Sequence, residues 1–254
     1  MKVELLAVAG RHPAAAHASL ALQPITLTIQ AGEQVAVIGP SGAGKTTLLH
    51  LMACSLMPAA GTLRLDGRDP WALSKSELQK LRGDLFLAPQ VPPLPPRQRV
   101  VTSVLAGQLP HMGFWKSLRS LFYPANIPVA HRALAQFDLA DKLFERVDRL
   151  SGGERQRVGL ARGLVSNSKL WLIDEPLSAL DPTRAEQAIQ TLTSSAKERG
   201  VTLVATLHHV QMALAHFPRI IGLKNGELAF DLPTSEVTPE RLKNLYAQHL
   251  DELN

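Results

Sequence analysis

Short apolar runs alternate with longer amphipathic stretches along most of the chain, the pattern of a parallel sheet wrapped by helices. Val3 to Val8 and Ile25 to Ile29 alternate apolar and polar positions, as half-buried strands do. Gln34 to Ile38 is apolar almost throughout, which predicts a strand buried on both faces. Lys45 to Ala53 predicts a helix directly after it. Leu85 to Pro89, Lys169 to Ile173 and Thr202 to Thr206 predict further strands. Asp181-Pro182 predicts a helix start, with an N-cap side chain followed by proline at the first position. Another helix follows His209. Asn225-Gly226, between Ile220–Leu223 and Glu227–Phe230, predicts a tight hairpin, and Pro239 to Leu250 a closing helix.

The texture changes in the middle. Ser74 with Glu77 three residues on predicts a capping box opening a short helix. Residues 89–96 hold five prolines, a stiff extended connector. Beyond it, Val101 to Leu109, Phe114 to Phe122 and Pro128 to Phe137 predict short amphipathic helices, and about Glu154 to Val165 another. The expectation is one α/β domain over residues 1–254, with a helical subdomain nested at about 91–162. No internal repeat or long heptad segment is present.

The candidate chemistry sits where strand gives way to helix. Residues 39–46 read GPSGAGKT: Gly39, Pro40, Ser41, Gly42, Ala43, Gly44, Lys45 and Thr46, with Thr47 next. Glycines let successive N–H groups turn inward on a phosphate chain, and the following helix adds its positive end. Lys45 reaches β- and γ-phosphates in such a loop, and Thr46 offers a hydroxyl to Mg²⁺. Residues 170–176 read LWLIDEP, an apolar strand ending in two carboxylates. Asp174 is the candidate for the Mg²⁺ shell. Glu175 is placed to take a proton from an attacking water. Residues 150–156 read LSGGERQ, in which a small hydroxyl, two glycines and a helix start make a second anion site from Ser151, Gly152 and Gly153.

These motifs, with Ser178-Ala179-Leu180-Asp181 and Thr206-Leu207-His208, resemble those of ABC-transporter ATPases in order and spacing, over nearly the whole chain. The resemblance implies an α/β fold: a P-loop NTPase cassette with a RecA-like core, an antiparallel β subdomain and an inserted helical subdomain. It implies hydrolysis of ATP with Mg²⁺, and two copies sharing each nucleotide. Ser151, Gly152 and Gly153 then contact the γ-phosphate held by the opposite copy, and Asp181 reaches across the pair. Asp181 is also readable as a plain N-cap. Gln90 matches the glutamine that touches Mg²⁺ or water and reports nucleotide state. His208 matches the γ-phosphate histidine, with His209 as its competitor.

The same resemblance implies transmembrane permease partners, indirectly a periplasmic or surface binding protein, and a peripheral place on the cytoplasmic face of the inner membrane. Phe114-Trp115-Lys116-Ser117-Leu118 and the Thr206-Leu207-His208-His209-Val210 switch region are similar to phosphonate- and phosphite-type importer ATPases. The Trp115 stripe reads equally as core packing between short helices. The catalytic motifs serve importers, exporters and lipoprotein-release or cell-division complexes alike. One departure concerns adenine: residues 8–18 contain no Phe, Tyr or Trp to stack on the base, which leaves Arg11 or His12.

Composition narrows the rest. With 254 residues and 45% hydrophobic, the chain can bury a full core. No apolar run approaches the ~20 residues of a spanning helix, and the first ten residues lack the features of a secretory signal. Cys54 is the single cysteine, read as a small core residue. The net charge of +5 comes without a basic run of five or more, so no nucleic-acid partner is expected.

Overall fold

The computed structural model describes residues 1–11, 20–122 and 125–247, with the backbone only of residues 121 and 122. Strands β1 (Val3–Gly10) and β2 (Leu22–Ile29) pair antiparallel. β3 (Gln34–Ile38) and α1 (Lys45–Met52) follow, and the chain then returns to the first sheet as β4 (Ala60–Leu65), antiparallel to β1. The hydropathy pattern assigns nothing to residues 60–65, because only Leu63 and Leu65 mark the alternation. After α2 (Lys75–Gly83) comes β5 (Leu85–Ala88), and then the helices α3 (Val100–Leu105), α4 (Phe114–Phe122), α5 (Ile127–Ala135) and α6 (Gly152–Val165). The second sheet resumes with β6 (Leu170–Asp174), α7 (Pro182–Arg199), β7 (Thr202–Thr206), α8 (Val210–His216), β8 (Arg219–Lys224), β9 (Glu227–Pro233) and α9 (Pro239–Leu245). Its order is β5-β6-β7-β3-β8-β9, parallel except for β9.

Burial follows the two-residue period of the strands. Ala36, Ile38, Trp171, Ile173, Leu203 and Ala205 point to the face that carries α3, α5, α6 and α7. Val35, Val37, Leu170, Leu172 and Val204 point to the face covered by α1 and the antiparallel sheet. Strands apolar on both sides can only sit between two layers, which is why this sheet is central. The helices between β5 and β6 share the first of these cores and do not form one of their own. Cys54 is fully buried, and burial pushes its thiol up to about 12, as an inert core residue requires.

Local signals account for the element ends. Ser74 and Glu77 form the expected capping box. Asn225 and Gly226 both take positive φ, at 52° and 79°, and join β8 to β9 through the pair Lys224–Glu227. Arg219 fastens that hairpin, donating from Nε and Nη2 to Asp231 at 2.6 Å each and from Nη1 to Glu33 at 2.8 Å. The helix expected over 101–109 ends as α-helix at Leu105 and tightens to 3₁₀ up to His111, where the Pro110 ring opposes an α-turn against the carbonyl four residues back. The closing helix ends at Leu245, and the last part of its expected span lies outside the described residues. The core-packing reading of Trp115 does not hold: Trp115 is 79% and Phe114 73% exposed.

Candidate active site

Four parallel strands end side by side, and their carboxyl ends build the site. The register pairs Val37 with Thr206, Asp174 with Thr206, and Ala88 with Ile173. Each strand therefore delivers its next residues to one line. β3 delivers the Gly39–Thr46 loop, β6 delivers Asp174 and Glu175, β7 delivers Thr206 and His208, and β5 delivers Gln90.

The loop is shaped for an anion. Gly42 and Gly44 lie at φ 79° and 97°, backbone that a side chain would oppose, so the peptide N–H groups curl inward. Lys45 is buried, and its Nζ donates to the Gly39 carbonyl at 2.6 Å and the Pro40 carbonyl at 3.2 Å. That folds an ammonium group back into the cradle. Ser41 through Thr47, Ala21, Glu175 and His208 line one cleft.

Thr46 and Asp174 meet as expected, with the Thr46 hydroxyl donating to the Asp174 carboxylate at 2.9 Å. A hydroxyl and a carboxylate together are the hard oxygen donors that suit Mg²⁺. Glu175 is gripped at both oxygens. Gln90 Nε2 donates to one at 2.6 Å, and His208 Nε2 lies 2.5 Å from the other. The His208 hydrogen bond holds the Glu175 carboxyl below the usual carboxylate range against the opposing effect of burial, so it is ionised at neutral pH. His208 is thereby distinguished from His209, which is exposed and sits at the N-cap of α8.

Three residues matter here that the sequence reading left without a role. The Thr206 hydroxyl donates to Asp174 Oδ1 at 2.6 Å and accepts from the Glu175 backbone N–H at 2.9 Å. It sets the positions of both acidic residues. Gln156, the last residue of LSGGERQ, donates to the Glu175 carbonyl at 2.9 Å and accepts from Ala179 N–H at 3.0 Å. Glu175 sits at φ 47°, a left-handed conformation costly for a residue with a Cβ, and these two bonds hold it there. Fully buried Tyr246 accepts from the Gly39 N–H at 3.1 Å, tying the end of α9 to the start of the phosphate loop. Thr206 and Gln156 lay inside quoted motifs, whereas Tyr246 carried no local signal at all.

Ser151, Gly152, Gly153 and Asp181 stand apart from this cleft. Ser151 caps α6 in a capping box with Glu154, as the SxxE spacing allows. Asp181 caps α7 and is paired with Arg184 at 2.9 Å, so its N-cap reading is correct. A Cβ on Gly153 would come within 2.7 Å of the Ala179 carbonyl, so packing inside the chain explains that glycine. A Cβ on Gly152 would meet nothing within 4 Å. Among the described residues nothing requires a glycine there. Arg11 is exposed just beyond β1, and His12, the other candidate for the adenine contact, lies outside the described residues.

Comparison with known proteins places this arrangement. The family described as ABC transporter matches residues 22–178. The chain is 70% identical over 254 residues to the "Phosphonates import ATP-binding protein PhnC" of Polaromonas sp. (strain JS666), covering 100% of this chain and 92% of that protein. It is 68% identical, with the same coverage, to "Phosphonates import ATP-binding protein PhnC 2" of Albidiferax ferrireducens (strain T118). A dimeric, post-hydrolysis structure of the ATP-binding cassette MJ0796 bound to ADP and Pi superposes with a TM-score of 0.76 at 29% identity, covering 91% of this chain and 98% of that one. A phosphate cradle at the end of a central strand, matched this far along the chain, leaves one conclusion: the protein belongs to the ABC-transporter family, as an ATP-binding cassette.

Proposed function

We propose that this cassette hydrolyses ATP to drive uptake of a phosphonate or a related small oxyanion through transmembrane permease subunits. The observation that carries the substrate is the full-length likeness, at 70% and 68% identity, to relatives named as phosphonate importers.

In this reading two copies face each other head to tail. Lys45, Thr46, Gln90, Asp174, Glu175 and His208 of one copy share each ATP with Ser151, Gly152, Gly153 and Asp181 of the other. The open space at Gly152 supports this, since a glycine without an internal reason fits close approach by a second molecule. So does the dimeric state of the MJ0796 cassette. Free N–H groups of the loop and of the first turn of α1 bind the phosphates, and Lys45 leaves the carbonyls of Gly39 and Pro40 to meet them. Thr46 and Asp174 would hold Mg²⁺, which would supply positive charge to offset that of the phosphates. The amide nitrogen of Gln90 holds Glu175, which leaves its side-chain oxygen as the atom with chemistry for that ion.

Glu175 accepts the proton of the attacking water, and His208 steadies the carboxylate and then the γ-phosphate. Residues 91–162 act as the nested helical subdomain that relays nucleotide state. In support, a groove of about 210 Å³ beside the Gln90 segment is lined by Phe86, Pro92, Leu94, Pro110 and Arg162, where a permease segment would seat. Among the described residues no helix is long and apolar enough to cross a membrane. A periplasmic or surface binding protein would deliver the substrate.

The test is reconstitution with the permease and binding protein in proteoliposomes. Methylphosphonate is expected to stimulate ATP hydrolysis and to accumulate inside. Stimulation by an unrelated solute, with none by phosphonates or phosphite, would reject the substrate. Thr206→Val is expected to lower kcat by about 10²-fold through misplacement of Glu175, with the KM for ATP little changed. Thr206→Ser, which keeps the hydroxyl, should retain most of the activity. Equal rates for the two variants would remove Thr206 from its positioning role.

A further inference from the structure

Helix α4 is turned inside out for a helix of a globular domain. Its sequence, FWKSLRSLF, places Phe114, Trp115 and Leu118 on one side at helical spacing. A surface helix normally buries that side. Here Phe114 is 73%, Trp115 79% and Leu118 43% exposed, and the two rings stack edge to face at 5.3 Å. The half-buried side chains are instead Ser117 and Ser120, which donate to the Met112 and Ser117 carbonyls.

Charge selects what covers this face. Residues 85–137 hold five of the chain's 27 Lys and Arg and none of its 22 Asp and Glu, so the whole net charge of +5 resides there. Two of the five, Lys116 and Arg119, flank the exposed apolar face of α4. They also line a groove of about 450 Å³ with Gln108, Ser120 and Asn126, to which no carboxylate among the described residues contributes. A second copy laid on this face would bring like charge against like, which opposes self-association here. An apolar stripe bearing Trp and Phe, bordered by Lys and Arg, is the make-up of a helix that lies in a membrane interface. The rings enter the boundary between headgroups and acyl chains, the long basic stems keep their charges among the phosphates, and the groove offers amide donors to a headgroup.

We propose that α4 docks directly on the anionic lipid surface of the membrane, as a contact separate from the permease. The proposal is independent of the transport reading, because it concerns the chain alone with lipid.

The experiment is flotation of the full chain with vesicles of phosphatidylcholine alone or with 30% phosphatidylglycerol. Binding is expected to the anionic vesicles only and to be released by salt, since the Debye length shrinks with ionic strength. Tryptophan emission should shift to the blue on binding, because Trp115 is the most exposed of the three tryptophans. Lys116→Glu with Arg119→Glu is expected to weaken binding by more than 20-fold, from about fivefold per cation. Phe114→Ser with Trp115→Ser should abolish the blue shift, with thermal midpoint and ATP hydrolysis unchanged. Lys45→Ala, which disables the phosphate loop, should leave flotation intact, so that failure of the ATPase and failure of this contact are told apart. The proposal is overturned if anionic vesicles do not bind, if uncharged ones bind equally, or if the α4 variants bind as the parent does. Capture of detergent-solubilised permease that depends on Trp115, without vesicle binding, would assign the face to a protein instead.

Discussion

Glu175→Gln is expected to lower ATP turnover by about 10²–10⁴-fold, the usual contribution of a general base, while ATP still binds. The argument rests on what the substitution preserves. Glutamine has the size of glutamate, so the turn at φ 47° and the Gln156 bond to the residue 175 carbonyl remain available. The Thr206 contact to the residue 175 N–H is also a backbone contact and is kept. The loss is the charge that His208 and Gln90 now hold at 2.5 and 2.6 Å, and with it the ability to take a proton. None of the phosphate-binding N–H groups is touched. Binding measured with a fluorescent ATP analogue should therefore be nearly unchanged, and the paired state with ATP trapped should persist for longer. A variant that turns over at the parent rate would mean that another group or water itself carries the proton.

The second large effect lies far from Glu175 in the chain. Gly152→Leu is expected to reduce hydrolysis by more than about 10²-fold, as misplacement at a reacting centre does, without loss of stability. Among the described residues nothing lies within 4 Å of a Cβ at position 152, so the single chain is expected to accommodate the side chain and keep its melting temperature. The added bulk would instead stand between the α6 N-terminus and a phosphate presented by the other copy. A bulky residue at Ser151 should likewise spare ATP binding by the single chain and abolish hydrolysis. It also costs about 1 kcal/mol of helix capping, because Ser151 accepts from the Glu154 N–H. Gly152→Leu is thus the cleaner variant.

Mixing makes the test decisive. Lys45→Ala and Gly152→Leu chains, each inactive alone, should regain activity together. A mixed pair concentrates both defects in one site and leaves the other intact. If each chain instead formed its site alone, mixing would restore nothing.

Much of this site was readable without coordinates, and the reason is local. A phosphate loop must follow a buried strand and open a helix, so Gly39 to Thr47 announces itself within a dozen residues. The same holds for the Ser74 and Ser151 capping boxes and for the Asn225-Gly226 turn, each of which satisfies its backbone within a few positions. Less local features were missed. β4 shows only two apolar positions of alternation, and its pairing with β1 is made across more than fifty residues of chain. Tyr246 reaches Gly39 from 207 positions away, and no pattern near either residue signals it.

The order of motifs along the chain was enough to define the cassette and its nucleotide chemistry and to nominate residues for it, because backbone geometry and side-chain type act there over short range. The three-dimensional arrangement alone decided how those residues cooperate. Sheet register lines up the ends of β3, β5, β6 and β7, which is why Thr206 can steer two carboxylates and why Gln90 and His208 close on the same one. Tertiary packing also decided which way α4 faces. Its periodicity is the same for a buried helix and an exposed one, and only the surroundings determine which side meets solvent.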